Sequence, residues 1–465
     1  MHSGVRRTRR QRALRWPLLL ILFTPLKCVA PSRQVAATPQ RACLVGGTSS
    51  TAALDSVTVA APGPVDVAHL TDPSNVAERF VFAQSYETLM RVDCDGQPYP
   101  ALARSWTIDA SKTRITLVLR DDAHFWDGTQ IRAGDVIAAW RSTGSDDTAS
   151  GRLARRFADA ATIVDDRTLL VSLPDTAWRA LADPALSIYR SSMGWPEGSG
   201  PYRIEDVPGR GVLRMTPTAQ RWPRLVIRAS PGADARDAID AGADVVLTGD
   251  RAAVEYAATR PELETVPLPW DRTYLFVVPD SARRAAIAPV ALLGDSANAF
   301  RASLVRDVVR AEARPAEPPY WWDAIPRCIS NGSFENADAR AATRGRASRV
   351  AYRADDHVAR ELADRFVALV PRAVSAPMSA PDFARALSTG SDLAYVVALP
   401  RESLAPCWSV AQLLSSAPWI ARAAEAGALI PAVDTRTRAI VRRDHAALAV
   451  DWDGTLRIAG STAHQ

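Results

Sequence analysis

The sequence predicts an α/β protein of two lobes. Three observations carry this: strands and helices alternate along the chain, its 465 residues exceed what one hydrophobic core organises, and 33 prolines keep its elements short. The first strand reads Ser56-Val57-Thr58-Val59-Ala60, alternating in polarity. Asn75 to Leu89 follows as a helix with Val76, Phe80, Ala83 and Leu89 on one face. Residues 115–119 form a strand, and Ala133–Ser142 a helix with Val136, Ile137 and Trp140 inward. Thr162–Val171 reads as a hairpin across Asp165-Asp166-Arg167. Strands at 224–229, 244–247, 274–278 and 349–353 then alternate with helices at 233–241, 300–312 and 357–370.

Charge is unevenly placed. Residues 1–33 hold eight basic residues and no acid, leaving the rest with 48 basic residues against 51 acidic ones. That body is mildly acidic, so a nucleic-acid or anionic-membrane partner loses its compositional support and neither is expected. Arg-rich residues 5–15 precede the apolar run from Trp16 to Leu26, about half the ~20 residues a membrane-spanning helix needs. This order is that of an export signal, expected to be cleaved after Ala30, with Val35-Ala36-Ala37 as the alternative, followed by a flexible linker over residues 31–53. The chain is expected to be exported, periplasmic or at the cell surface. Cys28 and Cys43 stand where a lipid anchor would attach, but Lys27, Gln40 and Arg41 depart from the small apolar residues such a site uses, so the anchor stays open.

Tyr86-Glu87-Thr88-Leu89, Asp93-Cys94-Asp95-Gly96 and Pro100 to Trp106 come next in the argument. They are followed by Leu117–Arg120, Phe125-Trp126-Asp127-Gly128 and Ala133-Gly134-Asp135-Val136. In order and spacing these six blocks resemble the N-terminal half of the extracellular solute-binding proteins of the oligopeptide, dipeptide and nickel group. The resemblance resumes at Gly198-Ser199-Gly200-Pro201-Tyr202, at Asp237–Val245 and at Thr273–Val277, and more loosely over 349–395. It covers most of residues 56–455 of what would be a shortened, divergent member.

The resemblance implies a two-lobed venus-flytrap fold of the periplasmic binding proteins, with an extra N-terminal subdomain. Lobe Ia would comprise residues 54–91, 192–280 and 432–465, subdomain Ib residues 92–191, and lobe II residues 281–431. The hinge would lie near 279–284 and 427–432. It further implies the solute-binding component of an ABC importer, a monomer that captures a small-molecule or short-peptide ligand between its lobes and presents it to a membrane permease. The alternative is a cell-envelope regulatory or interaction protein that uses the same fold without transport.

Site residues follow from the aromatic and charged positions near the expected lobe crossing. Trp270, Arg272 and Tyr274 mark the interlobe strand, and Asp392 and Tyr395 mark the second wall by resemblance. Trp321 and Trp322 sit in a Pro-flanked aromatic loop that can wall a cleft or pack a core. Arg272 is expected to offer bidentate hydrogen bonds to a carboxylate, or else to pair with Asp271. In peptide-binding members an acid after the late strand meets the peptide amine. Here Ala398-Leu399-Pro400-Arg401 stands in its place, which disfavours a free amino terminus as the anchor.

Catalysis, cofactor and metal find no support. The six histidines are isolated, and nucleophile, phosphate-loop and zinc-ligand patterns are missing. Asp451-Trp452-Asp453-Gly454-Thr455 mimics a phosphatase signature, but too little chain follows for a catalytic domain, so a hairpin with a two-residue Asp-Gly turn is expected. Of the later cysteines, Cys328 and Cys407 are the expected disulfide.

Overall fold

In the computed structural model the described residues are 43–46, 54–279, 348–400 and 410–459. Within them 144–148, 173–176, 193, 208–210, 221, 230–232, 371, 411–412, 415, 426–428 and 445–446 are excepted. The chain opens with β1 (Leu44–Gly46) and β2 (Ser56–Ala61), then α1 (Val76–Ser85). Asn75 starts α1 because its side chain accepts from the Glu78 amide at 3.0 Å. The helix stops at Ser85, short of the expected Leu89: Tyr86 turns extended, and the Ser85 carbonyl, which the Leu89 amide would need, accepts the Gly200 amide instead.

A small subdomain follows: β3 (Met90–Val92), β4 (Pro98–Pro100), β5 (Ala103–Ile108), β6 (Arg114–Leu119), α2 (Ala133–Ser142), α3 (Ala149–Ala160), β7 (Ala161–Asp165) and β8 (Thr168–Ser172). β5, β6, β8 and β7 form an antiparallel sheet in that order. Its core gathers Trp106, Leu117, Val136, Trp140 and Phe157.

The chain then returns to the first lobe with β9 (Tyr202–Val207), β10 (Val212–Pro217), β11 (Arg224–Ala229), α4 (Ala235–Asp240), β12 (Val245–Thr248), α5 (Arg251–Ala258) and β13 (Leu263–Pro267). The second lobe follows: β14 (Arg272–Val277), β15 (Arg349–Arg353), α6 (His357–Leu369), β16 (Val374–Met378), α7 (Ala380–Thr389), β17 (Ala394–Pro400), α8 (Pro418–Glu425) and β18 (Leu429–Thr435). β19 (Arg438–Arg442), β20 (Ala447–Val450) and β21 (Leu456–Ile458) end the chain back in the first lobe.

The first lobe holds a seven-stranded sheet in the order β13-β19-β12-β2-β11-β10-β9, and the second a five-stranded sheet in the order β16-β15-β17-β14-β18. Parallel pairing joins β2 to β11 and β12, and β15 to β16 and β17. The chain therefore crosses between sheets at 268–271 and again at 436–437. The expected crossings at 279–284 and 427–432 are thus displaced. β14 pairs with β17 on one side and β18 on the other, which makes both β14 and β18 strands of the second lobe.

Two further expectations shift. The sequence predicts a linker over 31–53, yet β1 within it pairs with β20, and Cys43 forms a disulfide with Cys94 at a Cα separation of 5.9 Å. Cys328 and Cys407 lie outside the described residues. The C-terminal hairpin is present, but its turn is longer than two residues: Val450 pairs with Leu456, the Gly454 amide donates to the Asp451 carbonyl, and Gly454 takes φ +84. Among the described residues no helix is long and apolar enough to cross a membrane.

Candidate functional site

Two strand-to-helix turns build the site. β12 leads into α5 through Asp250, whose carboxylate accepts the Ala252 amide at 2.9 Å. β15 leads into α6 through Asp356, which accepts the Ala359 amide at 3.0 Å. An aspartate just ahead of a helix satisfies donors the helix itself leaves unpaired. Both turns lie at the carboxyl ends of strands with parallel neighbours, where open α/β sheets leave a ligand crevice. One turn belongs to each lobe. Glu361 of α6 lies within electrostatic reach of Asp250 and Arg251, and desolvation is the largest cause of its raised pKa.

The crossing strand β14 brings Arg272 and Tyr274 to the second turn. The Tyr274 hydroxyl donates to both oxygens of Asp356 at 3.1 Å. Burial and then the Asp356 charge push the Tyr274 pKa well up, so it stays a neutral donor. Burial works against the charge on Arg272, but Tyr274, Asp271 and Asp356 outweigh it and its pKa rises. Arg353 closes the cluster with a two-point pair to Asp355, at 3.0 and 2.5 Å. Its hydrogen bonds hold Asp355 below the usual carboxylate range. Tyr274 thus meets Asp356 and Arg272, and the Arg353–Asp355 pair lies within electrostatic reach of Arg272, a set suited to a ligand with several polar groups of both signs.

The crossings themselves are stitched together. The Leu268 amide donates to the Thr437 carbonyl and the Asp271 amide to the Thr435 carbonyl, both at 3.1 Å. The Thr437 hydroxyl donates to Asp271 at 2.8 Å, and the Arg436 guanidinium lies 4.5 Å above the Trp270 ring. Trp270 therefore belongs to the hinge, half-buried under Arg436.

Asp392 and Tyr395 take different places. Tyr395 is fully buried against Phe383 and Trp419, and its hydroxyl donates to the Ala386 carbonyl at 2.7 Å while accepting the Asp392 amide at 3.0 Å. Asp392 is fully buried too and accepts from Arg349 at 2.7 Å. Both serve the core of the second lobe in this conformation. Trp321 and Trp322 lie outside the described residues. Asp250, Arg353, Asp355 and Asp356 were missed from sequence. Their signal was an aspartate following a β-run and opening a helical one, which reads equally as an ordinary cap.

The motif blocks converge elsewhere, where the first lobe meets the subdomain. The Trp126 indole donates to the Gly200 carbonyl at 2.9 Å, the Trp126 amide donates to the Gly198 carbonyl at 3.0 Å, and the Gly200 amide donates to the Ser85 carbonyl at 2.9 Å. Tyr86 packs on Trp126 with ring centroids 5.7 Å apart. This junction falls largely within residues 97–237, the stretch that matches the middle segment of the bacterial extracellular solute-binding proteins, family 5. Over that stretch the chain is similar to this family.

Among curated relatives, a probable peptide ABC transporter periplasmic-binding protein of Sinorhizobium fredii is 32% identical over 93 residues, 19% of this chain and 17% of that protein. The periplasmic oligopeptide-binding protein OppA of Escherichia coli is 28% identical over 186 residues, 33% of this chain and 34% of that one. The matched stretches thus span 17% and 34% of these relatives' own length. The dipeptide-binding protein of Pseudoalteromonas sp. SM9913, solved with Met-Leu, superposes with a TM-score of 0.63 at 12% identity, covering 86% of this chain and 98% of that one. That likeness shows the two-lobed binding-protein fold.

Proposed function

We propose that the protein is the exported solute-binding component of an ABC importer, which captures a peptide-like or other small polar ligand between its lobes and does no chemistry on it. The observation that carries this is the pairing of two opposed strand-to-helix turns with a two-strand crossing, beside which Arg272, Tyr274 and Asp356 form one cluster. Such crossings allow one lobe to swing on the other as a rigid body. The relatives named for peptide binding support a peptide-like ligand. With both charge signs at the turn, Arg272 and Arg353 would take carboxylate or carbonyl groups, while Asp355 and Asp356 would take amide or amine donors. The comparisons lend no support to a non-transport role.

Native mass spectrometry of protein purified from its own host is expected to reveal a co-purifying small solute. Calorimetric titration of that solute is expected to show weaker binding for Arg272→Ala, by about tenfold or more for loss of a charge-assisted hydrogen bond, and a smaller loss for Tyr274→Phe. Unchanged affinity in both variants would move the site away from this cluster.

A further inference from the structure

A second polar pocket lies outside the interlobe site, between α1, β3 and the turn joining β20 to β21, with about 480 Å³ of empty space including its open mouth. Arg79, Arg91 and Arg457 line it, together with Asp451, Trp452 and Asp453. Most of these charges are already engaged. The Arg457 Nε donates to Asp451 at 2.8 Å, and the other Asp451 oxygen accepts the Tyr99 hydroxyl at 2.7 Å. Asp453 turns its carboxylate to the Thr455 amide at 2.9 Å and its carbonyl accepts from Arg79 at 3.3 Å.

Arg91 is the exception. It is only 5% exposed, and its Nε has no hydrogen-bond partner. Its nearest acid is Glu87 at 3.6 Å, but that carboxylate is already gripped at both oxygens by Arg120, at 3.2 and 3.0 Å. Arg457 adds a like charge beside it. A buried guanidinium in this state is costly unless an anion completes it. Trp452 supplies an apolar surface at the same pocket.

We propose that this pocket binds a small carboxylate, its two oxygens received by Arg91 with Arg79 and Arg457 alongside. A planar guanidinium fork matches a carboxylate in a two-point contact. The pocket joins the first lobe to the subdomain and involves neither Arg272 nor Tyr274, so the site is separate from the interlobe one.

The test uses the full chain and ¹³C-labelled acetate at fixed ionic strength and neutral pH. Line broadening of the acetate carboxyl resonance is expected with wild type and is expected to vanish with excess unlabelled acetate. Arg91→Met is expected to abolish the broadening. Because that variant removes a buried side chain, Arg79→Ala, at a half-buried position, is measured in parallel and is expected to weaken the apparent affinity about tenfold. Arg272→Ala is expected to leave the broadening intact. No broadening with wild type, equal broadening in Arg79→Ala, or loss confined to Arg272→Ala would each overturn the assignment.

Discussion

Gly198 and Gly200 are small because the end of α1 lies against them. A Cβ on Gly198 would sit 2.3 Å from the Ser85 carbonyl oxygen, and one on Gly200 would sit 2.4 Å from that of Gln84. These are backbone atoms at the terminus of a packed helix and cannot swing aside as a long side chain can. The Gly-Ser-Gly-Pro-Tyr motif is thus a contact requirement: its glycines let the strand entering β9 touch α1 and let Trp126 reach a carbonyl. Gly200→Ala is expected to destabilise the protein by about 1–3 kcal/mol, the usual cost of overpacking a tight site. Gly134→Ala is the contrast, since its Cβ would meet nothing nearer than 4.0 Å and the position lies in α2. That change is expected to be neutral or to stabilise by up to about 1 kcal/mol through helix propensity. Urea unfolding of both variants beside wild type checks the pair. If Gly200→Ala proves as mild as Gly134→Ala, the close approach is not a constraint.

At the scale of elements, β1 adds a third strand to the C-terminal hairpin, and Cys43 ties that strand to the turn after β3. The same turn touches the hairpin through the Asp93–Asp451 bridge and the Trp452 amide, which donates to the Val92 carbonyl at 3.3 Å. A crosslink with a sequence separation of 51 restricts the unfolded chain by about 4 kcal/mol at most in the chain-entropy view. The Cys43→Ser/Cys94→Ser double variant is therefore expected to melt several degrees lower than wild type, with an unchanged far-ultraviolet spectrum. An unaltered melting temperature in scanning calorimetry would show that the strand is held by pairing alone. This element also shows where sequence reading reached its limit. Helices α2 and α6 were legible because Val136, Ile137 and Trp140, and likewise Val358, Leu362 and Phe366, repeat at helical spacing. β1 is three residues inside a Ser/Thr/Gly-rich stretch, too short for any period to emerge. α7 went unread although Ser379 caps it and Gly390 ends it at φ +63, because Pro381 in its first turn reads as a loop signal. For the site, Arg272 and Tyr274 were visible as polar and aromatic residues on a β-run. Their partner Asp356 lies 82 residues from Tyr274, a pairing set by sheet order, which local pattern does not encode.

At the scale of the whole molecule, the two lobes keep separate cores. The second lobe's cluster runs from Tyr274 to Val433 and centres on Phe276, Phe366 and Tyr395, while the first lobe's cluster joins Val57, Phe80, Tyr202, Leu225 and Val441. Among the described residues the chain passes between their sheets at 268–271 and 436–437, through bonds that are few and polar. The subdomain has a core of its own, yet it is fastened to the first lobe by the disulfide, the Trp126 contacts and the Tyr99–Asp451 bond. Cooperative unfolding requires shared buried contact, so the second lobe should unfold apart from the first lobe and its subdomain. Phe366 tests this, because it is fully buried and stacks on Phe276 with centroids 4.9 Å apart. Phe366→Ala is expected to cost about 3–5 kcal/mol within the second lobe. In scanning calorimetry wild type is expected to give a van't Hoff enthalpy below the calorimetric one. The variant is expected to move one component down and leave the other in place. If instead the whole endotherm shifts as a single two-state transition, the polar crossings couple the lobes as strongly as a shared core would, and closure would have to proceed by deformation within the lobes.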